Sequence, residues 1–345
     1  MGRMIAFTLA AVLALPAGAW AKFNPEDNPK HDVTAIGDRD VDGSVNFYSL
    51  EKEIALGKQL ADDVEKHAKV VDDPVISEYV NRVAQNIARN SDIKVPLVVK
   101  VLDNDEVNAF ALPGGYFFVN TGLVRLAENE AELAGVMAHE IAHIAARHGT
   151  RQVSKGQIAN LASIPLIFLG GWTGYGIQQA AGLAVPLTFL KFSRGFEEEA
   201  DLFGMQYLWK AGYDPTAMVA FFERLESQKK KKEGGGISGL FRSHPLTTKR
   251  IKLAQEAIDQ LLPARTEYAL GGSEFASVKA DLEKLMSVSS KKAKDDDENR
   301  PTLKRRAPDD EIPVDAEPVP EDGDQGDERP KLKRKYDSLS TGVTD

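Results

Sequence analysis

Five residues in the middle of the chain combine two imidazoles and a carboxylate at a spacing that suits metal chemistry. His139 and His143 are four positions apart, so on a helix they lie one above the other and both can reach one ion. Glu140 follows the first histidine and can lie beside a water at the metal without binding the ion itself. This H-E-x-x-H pattern predicts a zinc site with a glutamate as general base. The alternative is two ordinary histidines on a helix.

A catalytic zinc site takes three protein ligands and keeps one position open, and the chain has six histidines and no cysteine. His148 follows His143 by five residues, which on a continuous helix turns it about 140° away from the ligand face. Glu197 and Asp201 are four positions apart and share one face of a predicted helix. Glu197 can complete the ligand set, and Asp201 can accept a hydrogen bond from a ligand imidazole. The alternative is that this acidic run is a solvated helix face.

The elements that must position these residues are mainly helical. Asn129 and Glu132 form a capping box that opens the helix of the H-E-x-x-H pattern, and Gly149 is placed to end it. Alternating and β-branched residues predict a small antiparallel sheet, so the fold class is α+β. The remaining predicted elements are a helix opened by Asp73–Pro74, strands at Val95–Leu102, Asn108–Leu112 and Tyr116–Asn120, and helices at Thr247–Leu262 and Ser273–Met286.

The two ends of the chain differ in composition from its middle. Arg3, the apolar run Ile5–Leu15 and the small-x-small triplet Ala19–Ala21 predict a signal peptide over residues 1–21, with a retained signal anchor as the alternative. The apolar run is about half of the roughly 20 residues that a spanning helix needs. We therefore expect an exported, periplasmic protein, with an N-terminal extension at 22–44 and the main domain at 45–289.

Residues 290–345 are expected to form a disordered low-complexity tail, because they are rich in proline and charge and poor in aromatic residues. Two similar basic stretches, Arg300–Arg306 and Arg329–Lys335, are either solvated patches or a docking element for an anionic surface. The formal net charge of the whole chain is −9. That balance argues against nucleic acid as a partner, since nucleic-acid binding requires a basic surface.

Four motifs in the order of the chain resemble the zinc metallopeptidase family of the HtpX heat-shock protease and the CAAX prenyl protease, and in particular its soluble periplasmic BepA-like branch. They cover roughly residues 45–260. The motifs are Asn108–Gly115 with Thr121–Leu123; His139–His143; Ser193–Arg194 with Glu197, Ala200 and Asp201; and Ser243–Pro245 with Arg250.

The resemblance implies a zincin-like domain with one Zn²⁺ per chain, held by His139, His143 and Glu197, and Glu140 as the general base. It also implies that His244 approaches the metal from a later loop, either to stabilise the oxyanion or to occupy the open position and hold the enzyme latent; a structural histidine is the alternative. Residues Asn108, Ala109, Phe110 and Ala111 resemble the family's substrate-binding edge strand.

Two departures from the family concern location and partners. Residues 156–190 carry no charge and are broken by glycine and proline, so a mobile amphipathic flap is expected there rather than two short core helices or a membrane span. The BepA-like branch carries helical repeats after its protease domain, whereas no period of about 34 residues is visible here.

Together these features predict a zinc-dependent metalloendopeptidase that cleaves unfolded or misassembled cell-envelope proteins. Contact with a membrane surface or with outer-membrane assembly machinery is a further expectation. The alternative is a zinc-binding periplasmic chaperone or scaffold with latent protease activity.

Overall fold

A computed structural model describes residues 23, 28–43, 45–159, 192–231, 240, 243–269 and 271–298. Residues 1–293 form one compact unit, and residues 294–345 form a second, of which only the end of the last helix is described. The predicted signal peptide, most of the uncharged stretch 156–190 and the tail beyond Glu298 lie outside the described residues. In the described part, no helix is both long and apolar enough to cross a membrane.

Helices make up most of the described chain. Their starts follow local capping chemistry: Asp73 accepts hydrogen bonds from two backbone N–H groups of the second helix, and Asn129 accepts one from Glu132. The bounds are α1 (Leu50–His67), α2 (Pro74–Arg89), α3 (Thr121–Leu126), α4 (Glu130–Ala145), α5 (His148–Ala159), α6 (Arg194–Lys210), α7 (Thr216–Lys231), α8 (Thr248–Leu261) and α9 (Ser273–Glu298).

Two helix ends differ from the sequence prediction. Helix α4 ends at Ala145 rather than near Gly149, because Arg147 takes a left-handed conformation with φ of 54° and the chain starts a new helix at His148. Helix α9 continues to Glu298, past residue 290, where the sequence predicts the start of a disordered tail.

The sheet is small and mixed, which corrects the antiparallel sheet expected from the sequence. It consists of β1 (Val98–Leu102), β2 (Ala109–Leu112) and β3 (Tyr116–Asn120), in the order β1-β3-β2. Strand β2 pairs with β3 antiparallel, as a strand-turn-strand unit does, but β1 pairs with β3 in parallel. The chain reverses direction between β1 and β2, which form the two edges of the sheet, and reverses again between β2 and the central strand β3. Strands β1 and β3 therefore run the same way.

Helix α4 lies at the centre of the core, with every residue from Ala131 to Ala145 buried. Helix α6 approaches it very closely at Gly204, where an added Cβ atom would meet the backbone of His139 at 3.0 to 3.1 Å. Because no side chain separates the two helices there, Asp201 and Glu197, one and two turns earlier on α6, come within reach of the histidines on α4.

The segment 28–43 packs into the same core as the domain that follows it. Val33 and Ile36 are buried among the core residues. Arg39 forms a buried ion pair with Asp92 at 2.6 Å and also donates to Gln206 on α6. This part of the predicted N-terminal extension is therefore integrated into the fold.

Candidate metal centre

Helix α4 holds the H-E-x-x-H residues in the protein interior. His139, Glu140 and His143 are each at most 3% exposed. Phe192 stacks on the ring of His143, with 4.0 Å between the ring centroids, and Phe222 contacts His139 edge-on. Aromatic neighbours and close packing thus fix the orientation of both imidazoles.

Three histidines and one glutamate converge at this point. His139 Nε2 lies 3.1 Å from His143 Nε2 and 3.3 Å from His244 Nδ1. The carboxylate of Glu197, which is 2% exposed, lies 3.5 Å from His139 Nε2, 3.6 Å from His143 Nε2 and 3.0 Å from His244 Nδ1. Ligand atoms about 2.0–2.1 Å from a tetrahedral zinc ion are roughly 3.3 Å apart. The buried cluster is therefore compatible with one zinc ion.

The charges of the cluster also suit a cation. Burial by itself lowers the pKa of His139, but Asp201 and Glu197 outweigh it and raise that pKa to about 9. Burial raises the pKa of Glu197, but the neighbouring imidazoles, His244 above all, hold it well below its usual range. Glu197 Oε2 is buried without a directed hydrogen bond among the described residues, although Arg250 Nη1 is 2.9 Å away. Such a site favours positive charge at its centre.

Asp201 lies behind His139, on the side away from the cluster. Its Oδ1 is 3.0 Å from His139 Nδ1, an ion-pair contact without a directed hydrogen bond. Arg250, on α8, donates to both oxygens of Asp201 at 2.6 and 2.7 Å. The arrangement can set the tautomer of His139 so that its Nε2 lone pair faces the cluster.

His244 enters the cluster from the loop before α8 and is 6% exposed. While its Nδ1 faces Glu197 and His139, its Nε2 is 3.2 Å from Glu140 Oε1. One imidazole therefore contacts both the metal-ligand atoms and the carboxylate next to them.

Sequence reasoning missed the contacts of His148. It is fully buried, and its Nδ1 is 2.8 Å from His143 Nδ1, while its Nε2 is 3.0 Å from Glu199 Oε2. The rotation of 140° assumed a continuous helix, but the helix breaks at Arg147 and the turn brings His148 back beside His143. A basic or polar residue at a helix break is too weak a sequence signal to have revealed this.

Residues Asn108 to Ala111, predicted to bind substrate, lie next to Glu140. The backbone N–H of Ala111 donates to Glu140 Oε2 at 3.2 Å. Asn120 N–H donates to Asn108 C=O, and alternation along an antiparallel ladder then turns the backbone groups of Ala109 and Ala111 away from β3. In the described part of the chain no other strand pairs with this outer edge of β2, and both alanines are buried.

A glutamate beside a buried cluster of three imidazoles and a carboxylate is the arrangement of a zinc metallopeptidase. The chain belongs to Peptidase family M48, which matches residues 74–258. It is 31% identical to the beta-barrel assembly-enhancing protease of Escherichia coli K12 over 223 residues, which is 62% of this chain and 45% of that protein. It is 29% identical to the protein of the same name from Yersinia pestis over 226 residues, 63% of this chain and 46% of that protein.

A eukaryotic relative matches a shorter region. The mitochondrial metalloendopeptidase OMA1 of Schizosaccharomyces pombe is 33% identical over 185 residues, 52% of this chain and 52% of that protein. The chain thus spans about half the length of the curated relatives it matches.

Proposed function

We propose that the protein is a zinc-dependent metalloendopeptidase that cleaves unfolded or misassembled cell-envelope proteins. The observation that carries this proposal is the buried cluster of His139, His143 and Glu197 with Glu140 beside it. Membership of Peptidase family M48 supports the hydrolytic chemistry. The bacterial relatives are named for enhancing beta-barrel assembly, which supports the envelope as the place where substrates arise.

Each residue has a separate role in this proposal. His139, His143 and Glu197 would hold the ion, and Asp201 would orient His139. A zinc ion in this donor set would supply a Lewis acid for the scissile carbonyl and would lower the pKa of a water. Glu140 takes the proton of the attacking water and passes it to the leaving amine, so that one water is consumed for each peptide bond broken.

The surroundings of Glu140 suit a general base. Burial raises the pKa of its carboxyl above the ordinary value, so the group holds a transferred proton more readily than a solvated glutamate does. The amide of Ala111 holds Oε2, while Oε1 is directed towards His244. The proton-accepting oxygen thus lies at the cluster.

We assign His244 to gating. Its Nδ1 lies among the ligand atoms at the distances of a fourth ligand, and its Nε2 contacts the base. In this arrangement the imidazole of His244 takes the fourth position, which a water or a peptide carbonyl would otherwise occupy. Withdrawal of His244 would open the fourth position to a water or to substrate. In the alternative role, His244 would stay at the site and donate to the oxyanion of bound substrate.

The outer edge of β2 is the proposed substrate site. An extended peptide can pair with the outward backbone groups of Ala109 and with the carbonyl of Ala111, whose N–H is held by Glu140, and so align its scissile bond with Glu140. Leu240 N–H donates to Val107 C=O beside this edge at 3.3 Å. Because the backbone N–H of His244 donates to the carbonyl of Leu240 at 2.8 Å, a movement that withdraws His244 would also draw Leu240 away from the edge.

The proposed setting is the periplasm. The predicted signal peptide over residues 1–21 and the names of the bacterial relatives support export, and contact with outer-membrane assembly machinery or a membrane surface is part of the same proposal. The buried, His244-blocked site also favours a second candidate, a zinc-binding chaperone or scaffold whose protease activity is latent.

Casein hydrolysis by the protein from Lys22 onwards, with zinc content measured in parallel, separates the two candidates. The protease proposal expects hydrolysis that a chelator abolishes and that is absent in Glu140→Gln. If the wild-type protein binds one zinc per chain and still leaves casein intact, with and without candidate envelope partners, the scaffold is the correct function.

A further inference from the structure

We propose that His148 and Glu199 form a positioning pair for His143, and that Lys30 extends this pair to the N-terminal segment 28–43. The pair holds the second zinc ligand of α4 from behind, as Asp201 and Arg250 do for His139. The inference rests on the proposed role of His143 as a zinc ligand.

Proton placement follows from the distances. His143 Nε2 faces the cluster, 3.1 Å from His139 Nε2, and a ligand nitrogen must keep its lone pair for the ion. The proton of His143 is therefore on Nδ1, which donates to His148 Nδ1 at 2.8 Å. His148 must then carry its own proton on Nε2, which donates to Glu199 Oε2 at 3.0 Å.

The ring of His148 has little freedom to leave this position. It is fully buried and stacks on Phe196, with 4.4 Å between centroids and 22° between planes. Phe192 packs against both His143 and His148. Since neither imidazole can turn without breaking these contacts, the hydrogen bonds between them keep their direction.

Two cations hold Glu199 in turn. Lys30 Nζ donates to Glu199 Oε1 at 2.7 Å, and Arg151 Nη1 donates to Oε2 at 3.2 Å. The side chains of Lys30 and Glu199 are 22% and 19% exposed, so the chain of contacts reaches the surface at this ion pair. Lys30 comes from the segment whose Arg39 is anchored in the core, so the N-terminal segment contributes to the alignment of a metal ligand.

Zinc affinity, measured by competition with a chromogenic chelator, tests the pair independently of peptide hydrolysis. Removal of a residue that orients a ligand typically weakens metal binding 10- to 100-fold. We expect zinc affinity to fall within that range in His148→Ala and in Glu199→Gln. His148→Gln should recover part of the affinity, because the glutamine restores an acceptor for His143. Lys30→Met should weaken binding only severalfold, since Arg151 remains. Glu198→Gln is the matched control, because Glu198 neighbours Glu199 on α6 and pairs instead with the exposed Lys249 of α8.

A spectroscopic readout distinguishes orientation from general destabilisation. In zinc-loaded protein labelled with ¹⁵N-histidine, we expect a proton on Nδ1 of His143 whose signal moves in Glu199→Gln and not in Glu198→Gln. Circular dichroism of each variant checks folding; if His148→Ala does not fold, Glu199→Gln and Lys30→Met decide the question. Zinc affinity within twofold of wild type in the folded His148 and Glu199 variants would overturn the inference. Unchanged affinity in His143→Ala would instead refute the proposed ligand set.

Discussion

At the scale of single residues, the two glutamates in contact with His244, Glu197 and Glu140, differ in their surroundings. Glu197 faces three imidazoles. Glu140 lies at the rim of the cluster and accepts a hydrogen bond from the backbone N–H of Ala111. Replacing each glutamate should therefore remove a different property of the protein.

We expect Glu197→Ala to lose zinc affinity and, with it, the stability that bound metal provides. Glu140→Gln should keep the metal and the fold but lose peptide hydrolysis, since its side chain lies outside the ligand set. Metal analysis, thermal unfolding with and without chelator, and a peptide cleavage assay check the two variants. Equal metal loss in both would contradict the separate roles.

His244→Ala should raise the cleavage of an unfolded substrate, because the fourth position around the ion and the contact with Glu140 are both released. The rate of casein hydrolysis at equal zinc occupancy is the measurement. A rate reduced about a hundredfold with zinc retained would indicate an oxyanion donor instead. A rate within about twofold of wild type would remove His244 from the mechanism, since either role changes the barrier measurably.

At the scale of elements, the site depends on how closely α6 can approach α4. A methyl group at Gly204 would meet the backbone of His139, and a helix backbone yields less easily than a flexible side chain. We expect Gly204→Ala to push the helices apart and to weaken zinc binding about tenfold or more, even though alanine favours a helix by about 1 kcal/mol over glycine. Chelator competition measures the effect.

Gly195→Ala is the matched control for that prediction. It lies on the same helix, and an added Cβ atom there meets nothing within 4 Å in the described part of the chain. It should leave zinc affinity unchanged, with a small gain in stability from helix propensity. Equal zinc affinity in the two variants would show that the close approach of the helices is not needed for the site.

The contact between α5 and α6 through Glu199 predicts that the fold loses stability in acid. Burial raises the pKa of Glu199, but hydrogen bonds from His148 and Lys30 outweigh it and lower the pKa from the ordinary 4.5 to about 2. A depressed folded-state pKa contributes stability that is present above 4.5 and is lost as the pH falls towards 2.

Urea unfolding of metal-free protein at pH 6 and pH 3 measures this contribution. We expect the loss of unfolding free energy between the two pH values to be smaller in Glu199→Gln, by about 1 to 3 kcal/mol. Glu198→Gln provides the comparison on the exposed face of α6. Parallel losses in wild type and Glu199→Gln would show that Glu199 does not stabilise the fold as an anion.

At the scale of the whole molecule, a buried ion pair joins the segment 28–43 to the loop that follows α2. Arg39 and Asp92 have side chains that are 2% and 0% exposed, and Tyr207 also donates to Asp92. Arg39→Met leaves Asp92 buried without its cation, so we expect a loss of about 3 to 5 kcal/mol. Urea unfolding measures the change.

Lys58→Met is the surface counterpart. Lys58 and Asp62 are 65% and 51% exposed, and an exposed pair of this kind contributes less than about 1 kcal/mol. If Arg39→Met costs no more than Lys58→Met, the segment 28–43 is not held by this ion pair.

Several features followed from the sequence alone because they depend on neighbours along the chain. The spacing of His139 and His143 aligns them on one helix face, and Asp73 and Asn129 cap helices within three residues of themselves. The α+β class also follows from local periodicity. The sequence predicted a role at the metal for Glu197 from its spacing to Asp201 and from the family resemblance, and for His244 from the resemblance.

The tertiary structure decided what depends on residues far apart in the chain. The parallel pairing of β1 with β3 and the contact of His244 Nε2 with Glu140 join segments that lie far apart in the sequence, and neither contact was predicted from it. A single left-handed residue, Arg147, turned His148 back towards His143, against the helical rotation. Burial is a property of the assembled core, so only the folded chain determined that the segment 28–43 completes it and that Lys30 contacts Glu199.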